Sequence, residues 1–171
     1  MTISRRHLAT AAAVLVAAGA GWLLLGGSQS RQAAPVVDYT LLNGQKFNTE
    51  RFKGQVTLVN FWATSCTTCV AEMPEIVATH QRYQGKGYDT LAVAMSYDPP
   101  AYVASFAETR KLPFGVAIDN TGEIARRFGE VQLTPTSFLI DKRGQIVKRY
   151  VGKPDFEALH ALVDKLLAEP A

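Results

Sequence analysis

The sequence predicts an α/β layer fold, and three observations carry that prediction. Stretches rich in β-branched, aromatic and aliphatic residues alternate with stretches whose apolar residues recur at three and four. The last two strand-like stretches meet across a short turn as a hairpin, and an amphipathic helix closes the chain. With 171 residues, 47% hydrophobic and 19% charged, the chain can build one domain with a real core, and its composition argues against disorder. The formal charge is +3, but Arg5 and Arg6 precede an apolar run that every acidic residue follows, so the rest is close to neutral. No stripe of Lys and Arg forms, which excludes nucleic-acid binding.

The N-terminus reads as an address. After Arg5, Arg6 and His7, residues 8–27 carry no charge. That run is long enough to span a bilayer and longer than an ordinary signal core. Positive charge before the span and a bulky domain after it place residues 1–7 in the cytoplasm and the remainder outside, with Trp22 suited to the far interface. Residues 1–27 are therefore expected to be a signal anchor or transmembrane segment, a cleaved signal peptide being the alternative. Ser4-Arg5-Arg6 also hints at a twin-arginine signal. Residues 28–35 are expected as a linker and 36–171 as the folded domain.

Within that domain, residues 37–42 and 46–47 flank Asn43-Gly44, a strong hairpin signal. Residues 50–53 suit one helical turn, and Gly54 breaks it. Residues 56–63 read as a strand covered on both faces. From Cys66 the spacing turns helical, with Cys69, Met73 and Ile76/Val77 on one side, until Gly85 and Gly87 end the element near Tyr83. A second buried strand is expected over 90–96, then a helix over about 101–111 started by Pro99-Pro100, and a short strand at 116–118. Asn120-Thr121-Gly122 turns into a small helix ending at Phe128. Residues 138–141 and 145–151 form the hairpin, and 156–167 repeats Phe156, Leu159, Leu162/Val163 and Leu166 on one face.

The chemistry gathers where strand 56–63 hands over to the helix. A cysteine in a first helical turn sits among unpaired backbone N–H groups at the positive end of the helix dipole. Both favour thiolate over thiol, so Cys66 is expected to have a lowered pKa and to attack disulfides. Cys69, one turn further in, is placed to close a ring with Cys66 and release whatever Cys66 has trapped. These are the only two cysteines, too few for a disulfide scaffold. Zinc would need about four ligands, and the three histidines, His7, His80 and His160, lie on separate segments. Haem attachment would need His where Val70 stands. The expected redox group is the Cys66–Cys69 disulfide itself, with no other cofactor and no metal.

Phe61-Trp62-Ala63-x-x-Cys66-x-x-Cys69, followed much later by Thr134-Pro135-Thr136, resembles the thioredoxin superfamily. Glu72-Met73-Pro74 in the helix, the N-terminal hairpin, and an extra helix–strand unit over about 101–118 make it similar to the TlpA/ResA/CcmG-like branch of membrane-tethered thiol–disulfide oxidoreductases. The resemblance covers roughly residues 36–168. Departures are Ser65 where members often have Trp, Thr67-Thr68 where the pair often ends in Pro, and Asn60 where cytoplasmic thioredoxins carry a buried Asp.

The resemblance implies a thioredoxin-like fold with an N-terminal β-hairpin and a central helix–strand insertion. It makes Cys66 the attacking and Cys69 the resolving thiol, and Pro135 a cis-proline facing their disulfide, with Thr134 open to an incoming extended chain. An acidic residue at the position of Glu72 lies near the thiols and can take and return the Cys69 proton. Trp62 is expected mainly to pack, with an edge at the site, while Glu75 reads as solvated surface and His80 as helix surface or core rim. The function implied is reduction of protein disulfides in the periplasm, in cytochrome c or other metalloprotein maturation, with a membrane protein restoring the thiols. A copper-binding metallochaperone on the same fold is the alternative, because two thiolates bind Cu(I). Copper carriers of this fold usually add a histidine near the Thr-Pro segment, and residues 129–137 have none.

Overall fold

The computed structural model describes residues 31–171. The expected membrane segment lies outside these residues, and no helix among them is long and apolar enough to cross a membrane.

A six-stranded sheet forms the centre, in the order β1 (Gln32–Ala33), β8 (Gln145–Val151), β7 (Thr136–Ile140), β4 (Val56–Trp62), β5 (Tyr88–Ala94), β6 (Gly115–Ile118). Strands β4, β5 and β6 are parallel, whereas β7 and β8 run antiparallel to their neighbours. All seven residues of β4 are buried, which explains its unbroken apolar run. A separate hairpin of β2 (Asp38–Thr40) and β3 (Lys46–Asn48) joins the sheet edge through a bridge between Leu41 and Ala117. Its turn uses Gly44 at φ 82°, a conformation without steric cost for glycine.

Alternation along β4 sorts side chains onto two faces. Val56, Leu58 and Trp62 face one core, with α1 (Thr67–Tyr83), α2 (Pro100–Thr109) and α4 (Phe156–Ala168). Val59 and Phe61 face the other, with the hairpin and α3 (Glu123–Arg127). Phe156, Leu159, Val163 and Leu166 of α4 are all buried. At about 1.5–3 kcal/mol each as an upper estimate, they hold that helix on the sheet.

Element order matches the expectation, and the differences lie at ends. The expected turn over 50–53 is a 3-10 turn over Thr49–Phe52, capped by the Asn48 side chain. The strand expected at 90–96 begins earlier, at Tyr88 opposite Val56, and ends at Ala94. There Met95 N donates to Trp62 O and the chain leaves the sheet. Part of the expected linker is folded: Gln32 and Ala33 pair with Ile146 and Gln145, and Arg31 bonds to Asp141 at 2.9 Å. The outer edge of β8 gains a partner in this way. No apolar periodicity marks so short an edge strand.

Candidate active site

Three loops meet at the end of the sheet where β4 and β5 finish. Cys66 occupies the N-cap position of α1 with extended backbone, and its Sγ accepts from Cys69 N at 3.2 Å. The two cysteines form a disulfide, with Cα atoms 5.2 Å apart. Cys66 is partly exposed, whereas Cys69 is buried completely, as their places in the first helical turn imply. Further along α1, Pro74 has no N–H to give the Val70 carbonyl, so the helix loses one bond a turn beyond the thiols.

The turn before Cys66 is latched from the loop that follows β5. Buried Asp98 accepts from Thr64 N at 2.6 Å and from Thr64 Oγ1 at 2.5 Å. The Thr134–Pro135 peptide is cis, as the resemblance implied. Pro135 is one residue beyond the Thr136–Phe61 pair, at the same sheet end as the Cys66 turn. Pro135 is buried and Thr134 half-buried, its Oγ1 lying 3.3 Å from the Tyr97 hydroxyl. Tyr97 and Leu133 flank this segment with exposures of 57% and 66%. Sequence reasoning missed both; the available signal was a large apolar residue in each of two loops.

Trp62 packs, as expected, but has no exposed edge. It is entirely buried, its ring 5.0 Å from that of Phe106, and Nε1 has no partner among the described residues. Its part is packing under α2, and it offers no edge to a substrate in this structure. The β4 face on which it lies is sealed by the helices above.

Glu72 sits in this core too, 0% exposed and three residues after Cys69 on the same side of α1. Asn60 Nδ2 donates to its Oε1 at 3.2 Å and to Ser137 Oγ at 2.9 Å. Glu72 Oε2 and Asn60 Oδ1 have no partner among the described residues. Burial pushes the Glu72 carboxyl up to about 7; the Asn60 bond and the charge of Lys153 pull the other way, and Glu75 adds to the rise. A carboxyl with that proton affinity is able to take up and release a proton near neutral pH. Asn60 and Ser137 were not among the expected site residues, although a lone amide amid the apolar run of β4 was the visible signal.

The remaining expectations resolve simply. Glu75 is a half-buried ion-pair partner of Lys153. His80 is buried, its Nδ1 3.3 Å from Thr90 Oγ1 and its ring against Phe114, and burial lowers its proton affinity. His160 lies with Nε2 2.8 Å from Thr79 Oγ1.

A model of the family described as Redoxin matches residues 29–164. The thiol-disulfide oxidoreductase ResA of Bacillus thuringiensis subsp. konkukian is 37% identical over 133 residues, covering 78% of this chain and 76% of that protein. Among solved structures, a putative thioredoxin from Neisseria meningitidis is 39% identical with a TM-score of 0.74, covering 80% of this chain and 91% of that one. A putative thiol:disulfide interchange protein DsbE from Chlorobium tepidum is 29% identical with a TM-score of 0.74, covering 81% and 97%.

Proposed function

The chain belongs to the Redoxin family and is a ResA/CcmG-like thiol–disulfide oxidoreductase of the thioredoxin superfamily, and we propose that it reduces protein disulfides outside the cytoplasm. The observation that carries this reading is the pairing of a partly exposed Cys66 with a fully buried Cys69 and a buried Glu72. In the reduced protein, the Cys66 thiolate is stabilised by the α1 N-terminus. It attacks one sulfur of a substrate disulfide, forming a mixed disulfide and releasing a substrate thiolate that is protonated from water. Cys69 then loses its proton to Glu72 and attacks Cys66 Sγ; the second substrate thiolate leaves, and the Cys66–Cys69 disulfide remains. Two electrons have passed to the substrate, and the dithiol of a membrane electron donor returns them.

The substrate chain lies against Thr134 and Pro135, with Tyr97 and Leu133 as apolar rim. Residues 8–27, uncharged and preceded by Arg5 and Arg6, support anchoring in the inner membrane with the domain in the periplasm. The names of the relatives support protein thiols as substrates, and cytochrome c or other metalloprotein maturation is the setting that this branch of the superfamily suggests.

Cys69→Ala tests the scheme. Without the resolving thiol, mixed disulfides on Cys66 should persist and be recovered from cells under non-reducing conditions, while Cys66→Ala should recover none. Captured partners with haem-attachment or copper-site cysteines would support maturation; unrelated disulfide-rich proteins would point to general folding. No captured partner, together with tight Cu(I) binding by the wild type, would replace this reading with metal handling. A mid-point potential well below that of glutathione is expected, and one well above it would make the protein an oxidant.

A further inference from the structure

Asn60 is the one polar residue on the face of β4 that Leu58 and Trp62 share, and its side chain is used in a one-sided way. A side-chain amide has two hydrogens to donate and one oxygen to accept. Here Nδ2 donates to both Glu72 Oε1 and Ser137 Oγ, while Oδ1 accepts nothing among the described residues. This orientation gives both amide hydrogens an acceptor and suits an ionised carboxyl, which can only accept. Turning the amide over would aim Oδ1 at the carboxylate. Ser137 is the cross-strand partner of Asn60 in the β4–β7 ladder, so sheet register delivers the oxygen that receives the second hydrogen.

The carboxyl is used in a one-sided way as well. Oε1 is tied to Asn60, and Oε2 is buried without a partner. The charged groups that face Glu72 from elsewhere are Glu75 on its own helix and Lys153 from the loop before α4, and these two pair with each other. Resting on the reading of Glu72 as proton acceptor for Cys69, we infer that Asn60, oriented by Ser137, is the positioning residue that ties Glu72 Oε1 and leaves Oε2 to take the proton. In the step itself the Cys69 S–H bond breaks, the proton joins Oε2, and the sulfur electron pair forms the bond to Cys66 Sγ as the substrate thiolate departs. Asn60 contributes a donor that favours the ionised carboxylate before the transfer.

The test uses the reduced full chain in detergent with dithiobis-nitrobenzoate, which releases one coloured thiolate on attack by Cys66 and a second on resolution by Cys69. The midpoint of the pH profile of the second release is followed. Asn60→Leu should move it upward by about one unit, a tenfold change in proton affinity, through loss of a bond to a charged group. Asn60→Asp, equal in size but facing Glu72 with a second carboxyl, should move it furthest, and Ser137→Ala least. In a Glu72→Gln background, Asn60→Leu should no longer shift the profile. That order with that collapse supports the inference. Unmoved midpoints in all three variants, or a shift that survives in the Glu72→Gln background, would overturn it. Glu72→Gln alone separates the two readings: if it leaves the profile of the second release unchanged, the proton-acceptor role itself fails.

Discussion

Four carboxylates are buried among the described residues, and the contrast between Glu72 and the other three separates chemistry from architecture. Asp98 has both oxygens engaged by Thr64. Asp119 accepts from Ile124 N at 3.1 Å and Ala125 N at 2.8 Å, capping α3 in place of Gly122, which has no side chain to do so. Asp141 accepts from Arg143 N and Gln145 N with one oxygen and from Arg31 with the other. Each of these aspartates ties a turn to a neighbouring segment. Glu72 has one oxygen held by a neutral amide and the other bare, with its proton affinity raised to about 7. Burial alone therefore does not mark a reactive carboxyl. Glu72 adds to burial an unfilled acceptor and a place one helical turn beyond Cys69.

Asp141→Ala should produce the largest stability loss of the set. It leaves Arg31 with only its Glu169 partner and frees two turn amides, at a cost of about 2–3 kcal/mol in denaturant unfolding. Exchange rate per folded molecule should not change. If that rate fell as it does for Glu72 variants, the division between architectural and chemical carboxylates would break down.

Glu72→Gln should sharpen the contrast in the opposite direction. The folded protein holds the Glu72 proton more tightly than the unfolded chain does, from 4.5 to about 7. Its contribution to stability is therefore present below the lower value and lost as pH rises through the upper one. Glutamine removes that dependence, so the variant should gain about 3 kcal/mol on the wild type between acidic and mildly alkaline pH. Its thiol–disulfide exchange should be slower. A stability difference flat with pH would show that Glu72 does not titrate in this range.

Asp119→Ala should have the smallest effect of the three. It removes side-chain acceptors for the second and third amides of a short helix, a loss of about 1–2 kcal/mol by thermal or denaturant unfolding. The pH profile of exchange should be unaltered, and a shifted profile would extend the reactive region to α3.

Much of this was legible beforehand because it is local. The hairpin at Asn43-Gly44, the strand–turn–helix around Cys66 and the one-sided final helix rest on preferences spanning a few residues. So does the unequal exposure of Cys66 and Cys69, set by a single helical turn. Element ends moved where a long-range bond intervened, as when Tyr88 paired with Val56 and began β5 early. The edge strand at Gln32–Ala33 had no pattern to read, because its reason for being extended lies in the far-off edge of β8.

Local spacing along the chain was enough to say that a redox pair opens a helix behind a buried strand, and which of the two thiols is the accessible one. The raised proton affinity of Glu72 needed the assembled fold, since it follows from the removal of water by surrounding elements. The fold also decided that Asn60 meets Ser137, 77 positions away, through the β4–β7 register, and that Trp62 is sealed beneath Phe106. Spacing along a chain specifies which residues share one face of one element. Desolvation and cross-strand contact depend on which elements come to lie against that face, and those partners are drawn from the whole chain.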